Sequence, residues 1–155
     1  MIERAVARRD GMTLIELVLA MVVAGLITMI AIPRAATVID VTNVGGARKM
    51  VAELVGKTRF EAIMRGGPAQ LTINPDGRLW VTAPKVGVPG AEDTVGTIEH
   101  LDGRFGVAVT APTSQTQIGF DAQGVGTAPG NTIVVLRRGS KVDTLTISAS
   151  GRTTP

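Results

Sequence analysis

Residues 11–33 read GMTLIELVLAMVVAGLITMIAIP, and the reading of this stretch decides the fold. Residues 17–32 carry no charge. With Met12 to Ile15 included, the run approaches the about 20 residues a helix needs to cross a bilayer. Backbone groups in lipid must bond within their own segment, so the run is predicted to be helical. A core helix of a soluble protein would show a polar stripe, and none is present here. A secretory signal would be cut after its apolar stretch at a small-x-small site. Here the stretch continues into Pro33-Arg34-Ala35-Ala36-Thr37, and Gly11 offers the better cut site in front of it.

Glu16 is the one ionisable group inside the run. A carboxylate in an apolar helix is costly unless paired, so such a residue is read as functional and its partner must be named. No basic residue lies within a helical turn on its C-terminal side. Cleavage between Gly11 and Met12 would create an α-amine at Met12, one turn from Glu16 in the same chain or in a packed neighbour. The competing reading is a glutamate near the helix end that snorkels to water. Orientation follows from Arg4, Arg8 and Arg9, which hold residues 1–11 in the cytoplasm and place the C-terminal bulk outside the inner membrane. In a diderm cell that space is the periplasm.

Beyond Pro33 a second helical pattern is expected over residues 34–66. Val38, Val41, Val44, Val51, Leu54, Val55, Phe60 and Ile63 supply its apolar face. Gly45-Gly46 predicts a bend, and Gly66-Gly67-Pro68 predicts the stop. From residue 67 the pattern changes to short strands, expected at 70–73, 78–82, 97–100, 106–110, 117–120, 132–137 and 142–148. Asn74-Pro75-Asp76-Gly77 and Arg138-Gly139-Ser140 read as hairpin turns. Residues 84–94 and 122–131 read as loops from their Gly and Pro content. The fold class is therefore α+β: a long N-terminal helix packed on an antiparallel β-sandwich of about seven short strands.

Composition narrows the chemistry. The chain has no cysteine and one histidine, His100, which excludes disulfides, thiolate catalysis and a Cys/His zinc site, so no metal ligand set and no cofactor is expected. No nucleophilic triad can be assembled, and an enzyme is not expected. The 155-residue chain carries 16 basic and 13 acidic side chains, a formal charge of +3. Residues 1–11 hold three of the former and two of the latter, so the remainder is close to +2. That balance is a weak attractant for a polyanion.

The run Gly11-Met12-Thr13-Leu14-Ile15-Glu16-Leu17 resembles the leader motif of type IV prepilins and type II secretion pseudopilins. The resemblance implies that a prepilin peptidase cuts after Gly11 and methylates the new amine of Met12, and that Glu16 acts in assembly. That family usually has Phe where this chain has Met12. Gly25 and Pro33 fall where pilin helices carry helix-weakening residues, and both lower helix stability by their own physics. Three later segments, Ile118-Gly119-Phe120-Asp121-Ala122-Gln123-Gly124, Thr132-Ile133-Val134-Val135-Leu136 and Thr146-Ile147-Ser148-Ala149-Ser150-Gly151-Arg152, resemble the GspH/FimT-type domain. The organisation this implies is a prepilin leader (1–11), a transmembrane and assembly helix (12–33), its amphipathic continuation (34–66) and a β-rich periplasmic domain (67–155). The expected partners are the prepilin peptidase, other pilins or pseudopilins and the inner membrane. The expected role is a minor pseudopilin of a type II secretion system, with a minor type IV pilin of the FimT type, in pilus assembly or DNA uptake, as the alternative. Some FimT-like proteins bind DNA through a C-terminal Gly-Arg-x-Arg. Here the segment reads Gly151-Arg152-Thr153-Thr154 and lacks the second arginine. Arg137, Arg138 and Arg152 are the residues a weak DNA contact would use, and so few cations argue against binding at physiological salt.

Overall fold

The computed structural model describes residues 12–111 and 115–154. The chain divides into two structural units after Thr37. The described part of the first is helical from Leu14, and every residue from Met12 to Thr37 is exposed. Helix α1 runs Leu14–Arg65. Its apolar window has a mean hydropathy of 2.6 with none of it buried.

In the second unit, residues 38–65 of α1 pack on two antiparallel sheets. The strands are β1 (Ala69–Ile73), β2 (Arg78–Pro84), β3 (Glu92–Thr94), β4 (Glu99–His100), β5 (Ala108–Thr110), β6 (Thr116–Phe120), β7 (Thr132–Arg138), β8 (Lys141–Ile147) and β9 (Thr153–Thr154). A short helix α2 (Leu101–Phe105) follows β4. One sheet has the order β3-β2-β1-β6 with β4 also on β2, and the other has the order β5-β7-β8-β9. One hydrophobic cluster joins the helix to both sheets, with Val51 and Val55 from α1, Leu71 and Phe120 from the first sheet, and Leu136 and Leu145 from the second.

The expected α+β architecture of a long helix on antiparallel sheets is the one observed. The predicted strands lie where the strands are, shifted by a residue or two at their ends. The turn at residues 74–77 closes with Gly77 N–H donating to Asn74 C=O at 3.0 Å, and Gly77 has φ 81°. The α1 stop at Gly66-Gly67 is a Schellman motif: Gly67 N–H donates to Ala62 C=O at 3.2 Å and Gly66 N–H to Ile63 C=O at 3.3 Å.

Four expectations are corrected. The helix is not interrupted at Gly45-Gly46 but runs through both. Gly46 serves close approach instead, since a Cβ there would lie 2.8 Å from the Phe105 ring. The buried stripe of α1 is Val44, Ala47, Met50, Val51, Val55, Thr58 and Ala62, while Val38, Val41, Phe60 and Ile63 are exposed. Over the last turns the buried residues are the small Thr58 and Ala62, not the large apolar Phe60 and Ile63. Residues 84–94 are not all loop: Glu92–Thr94 form β3 on β2, with Thr82 opposite Thr94 and Pro84 opposite Glu92. The ladder offered by β2 outweighs the poor strand preference of two acidic residues, which as charged side chains guard this sheet edge. Finally, the seven expected strands become nine among the described residues, with β9 pairing Thr153 to Ile147.

Candidate assembly site

Gly11 lies outside the described residues. Met12 is exposed, and the helix begins two residues later. Thr13 caps it: Glu16 N–H donates to Thr13 Oγ1 at 3.3 Å and to Thr13 C=O at 3.1 Å. Thr-x-x-Glu is the sequence signature of a helix N-terminus, so the residues that start α1 were readable as Thr13 and Glu16. Glu16 therefore stands in the first turn, where the helix dipole favours a carboxylate, and it is exposed. It has a local reason to be acidic as well as a reason to seek an amine.

Within the apolar run, Thr28 Oγ1 donates to Ala24 C=O at 2.7 Å, so this hydroxyl is satisfied inside the helix. Pro33 lies within α1 and has no N–H to offer the Met29 carbonyl. Thr37 Oγ1 donates to Pro33 C=O at 3.0 Å. A Cβ on Gly25 would meet nothing within 4 Å. No neighbour among the described residues requires a glycine there.

The three arginines named for a nucleic-acid contact are not alike. Arg137 is exposed on β7 and Arg152 is exposed just before β9. Arg138 is half-buried: its Nε–H donates to Asp40 at 2.9 Å, and its Nη1 donates to the Phe105 carbonyl. The hairpin turn at Arg138-Gly139-Ser140 is as expected, but its Arg138 is not free for a nucleic-acid contact. One of its cations belongs to the interior contacts of the domain, and the surface left for phosphate is smaller than the sequence suggests.

The C-terminal segments that carry the GspH/FimT resemblance turn out to be architectural. Phe120 is fully buried. Asp121 Oδ1 accepts the N–H groups of Gln123 at 3.0 Å and Val125 at 2.8 Å, which folds the loop after β6. Gly124 has φ 75°, and a Cβ there would lie 2.6 Å from Ile63 Cδ1. Gly151, with φ 79°, lies against the edge of the Phe120 ring, where no Cβ fits. Ser148 N–H donates to Arg152 C=O at 2.9 Å, which closes the turn that sets β9 on β8. Phe120 and Gly151 thus specify each other across the core.

Among the described residues no group of three or more His, Asp or Glu side chains is placed to hold a metal ion. His100 is exposed at the end of β4, opposite Arg78. A depression of about 340 Å³ beside α1 is lined by Gly45, Arg48, Lys49, Ala52, Leu145 and Thr153. Its Arg48 stands 3.6 Å from Asp143.

With this geometry in place, comparison with known proteins gives consistent results. The sequence model of the family described as type II transport protein GspH matches residues 49–151. A crystal form of the type IV minor pilin FimU from Pseudomonas aeruginosa superposes with a TM-score of 0.52 at 14% identity, covering 73% of this chain and 87% of that one. A second crystal form of FimU gives a TM-score of 0.49 at 15% identity, over 71% and 90%. At such identities the likeness is one of fold. No curated protein matches the chain in sequence.

Proposed function

Because the chain belongs to the type II transport protein GspH family, we propose that it is a minor pseudopilin of a type II secretion system. It is held in the inner membrane by residues 12–33 with its leader in the cytoplasm and its β-rich domain in the periplasm. From there it enters a filament that supports protein export. A prepilin peptidase cuts between Gly11 and Met12 and methylates the Met12 amine. The observation that carries the reading is a family-matched β-rich domain on a helix whose exposed residues 17–32 are uncharged and whose first turn holds one carboxylate.

The mechanism rests on the electrostatics of that turn. In the membrane, Glu16 lies near the helix end and reaches water. In a filament it is packed among other helices, where an unpaired carboxylate is costly and a neighbour's Met12 amine offsets the cost. The pair also sets axial register, because a one-turn slip of about 5.4 Å would separate the charges. Gly25 and Pro33 allow the helix between them to loosen as subunits pack. Glu16→Ala and Glu16→Val are expected to be processed at the Met12 junction but to be lost from sheared filaments. Intact incorporation of both variants refutes the pairing. A bulky residue at Gly11 is expected to leave the leader uncut, seen as an intact N-terminus by mass spectrometry.

A second reading, a minor pilin of a type IV pilus, is favoured by the fold likeness to FimU. A role in DNA uptake draws little support, because Arg138 is engaged by Asp40 and Phe105. Deleting the coding sequence and assaying secretion and twitching side by side separates the two systems.

A further inference from the structure

From Met12 to Ile39 every residue is exposed, and Asp40 is the first residue of α1 to be half-buried. Its carboxylate accepts the Arg138 Nε–H from 98 residues away in the chain. The same guanidinium donates through Nη1 to the carbonyl of Phe105, the last residue of α2. Two glycines clear the space. Gly139, with φ 54°, would place a Cβ 2.5 Å from Asp40 Oδ2, and Gly106, with φ 62°, would place one on Arg138 Nη1. Further along α1, Gly46 admits the Phe105 ring. Helix α1, the end of α2 and the β7–β8 turn are thus tied at one point. The guanidinium fork holds a carboxylate and a carbonyl at once through separate nitrogens in one planar group.

We propose that this Asp40–Arg138–Phe105 clasp is a stop that sets where unwinding of α1 ends. Helix loss spreads along a chain because each turn supports the next. Loosening that begins between Gly25 and Pro33 runs through exposed residues until it reaches Asp40. Beyond Asp40, Asn43 is half-buried and the first buried residues are Val44, 1% exposed, and Ala47, 0% exposed. The clasp protects residues 38–43 and keeps the sheets insulated from changes upstream. Its use during assembly rests on the filament role proposed above, whereas the clasp itself does not.

Hydrogen exchange of the full chain in detergent micelles tests this. Arg138→Gln is expected to speed exchange of amides 38–43 by about tenfold or more, as loss of a charged hydrogen-bond hub implies. Amides of β1, β2 and β7 are expected to change by less than about twofold, since local opening leaves the rest intact. Asp40→Asn keeps the bond to Phe105 and is expected to give a smaller rise in the same window. Unchanged exchange at 38–43 in both variants overturns the proposal, as does an increase spread evenly through the sheets. Glu16→Ala is expected to leave this window untouched, and absence of the unsubstituted chain from sheared filaments would refute the filament role while the clasp result stands.

Discussion

Residues 14–37 and 38–65 share one helix and one backbone geometry, yet they answer to different surroundings. The first stretch buries nothing among the described residues and carries no charge from residue 17 to 32, with Leu19, Val22, Leu26 and Ile30 all exposed. The second buries a stripe spaced at three and four residues, from Val44 through Ala47, Val51 and Val55 to Ala62. A helix apolar all round is stable only in lipid or among other helices, whereas a striped one is completed by its own domain. The same secondary structure is therefore finished by a partner outside the chain in one stretch and by the β-sheets in the other.

Charge insertion is the strongest way to break this comparison. Val51→Asp places a carboxylate at a position with 0% exposure and is expected to cost about 4 kcal/mol or more, enough to unfold the domain in a denaturant titration. Val22→Asp is expected to leave the same denaturant midpoint unchanged, while membrane insertion of the helix becomes less favourable by about 3 kcal/mol. If Val22→Asp unfolds the domain as Val51→Asp does, the two stretches are not independent.

The glycines sharpen it at smaller scale. Gly46→Leu must displace the Phe105 ring and is expected to cost about 1–3 kcal/mol in thermal or denaturant unfolding. Gly25→Ala meets open space and is expected to raise helix stability by about 1 kcal/mol, read by circular dichroism in micelles. If Gly25 matters because it weakens the helix, this more stable helix should assemble less well.

The smallest effect lies away from the helix, at the β1–β2 turn. The Arg78 backbone N–H, and then the Arg78 guanidinium, hold the Asp76 carboxyl below its ordinary range, with a small contribution from His100. A carboxyl depressed on folding adds stability above its unfolded pKa and loses it as pH falls through its folded pKa. Asp76→Asn is therefore expected to lower stability slightly near pH 7, with the difference from the unsubstituted protein vanishing as pH falls below about 4. The group is exposed, so the change should be barely above the error of the titration.

The hairpins were readable because their turns carry the backbone requirement in the residue type. Gly77 and Gly139 both have positive φ, and each stands in a turn proposed from composition. Strand β3 was not readable, because Glu92 and Asp93 have no preference for a sheet and only the β2 edge makes them one. The face of α1 was misread for a related reason. Hydropathy ranks Phe60 above Ala62, but burial follows which side of the helix the sheets cover, and that side carries Ala62. Arg138 looked like its neighbours Arg137 and Lys141, since nothing local indicates that Asp40 lies beside it.

What the amino-acid order determined alone is whatever acts over one or two turns of chain. The uncharged run, the single carboxylate with its threonine cap, the helix stop and the tight turns all follow from side-chain transfer energies and allowed φ values, which are local. The tertiary structure decided which small residues are buried, why Gly46 and Gly151 cannot carry side chains, and that Arg138 is a fastening inside the domain rather than part of a surface charge. Those outcomes depend on which distant groups come within a few ångströms, and that distance is a property of the folded chain.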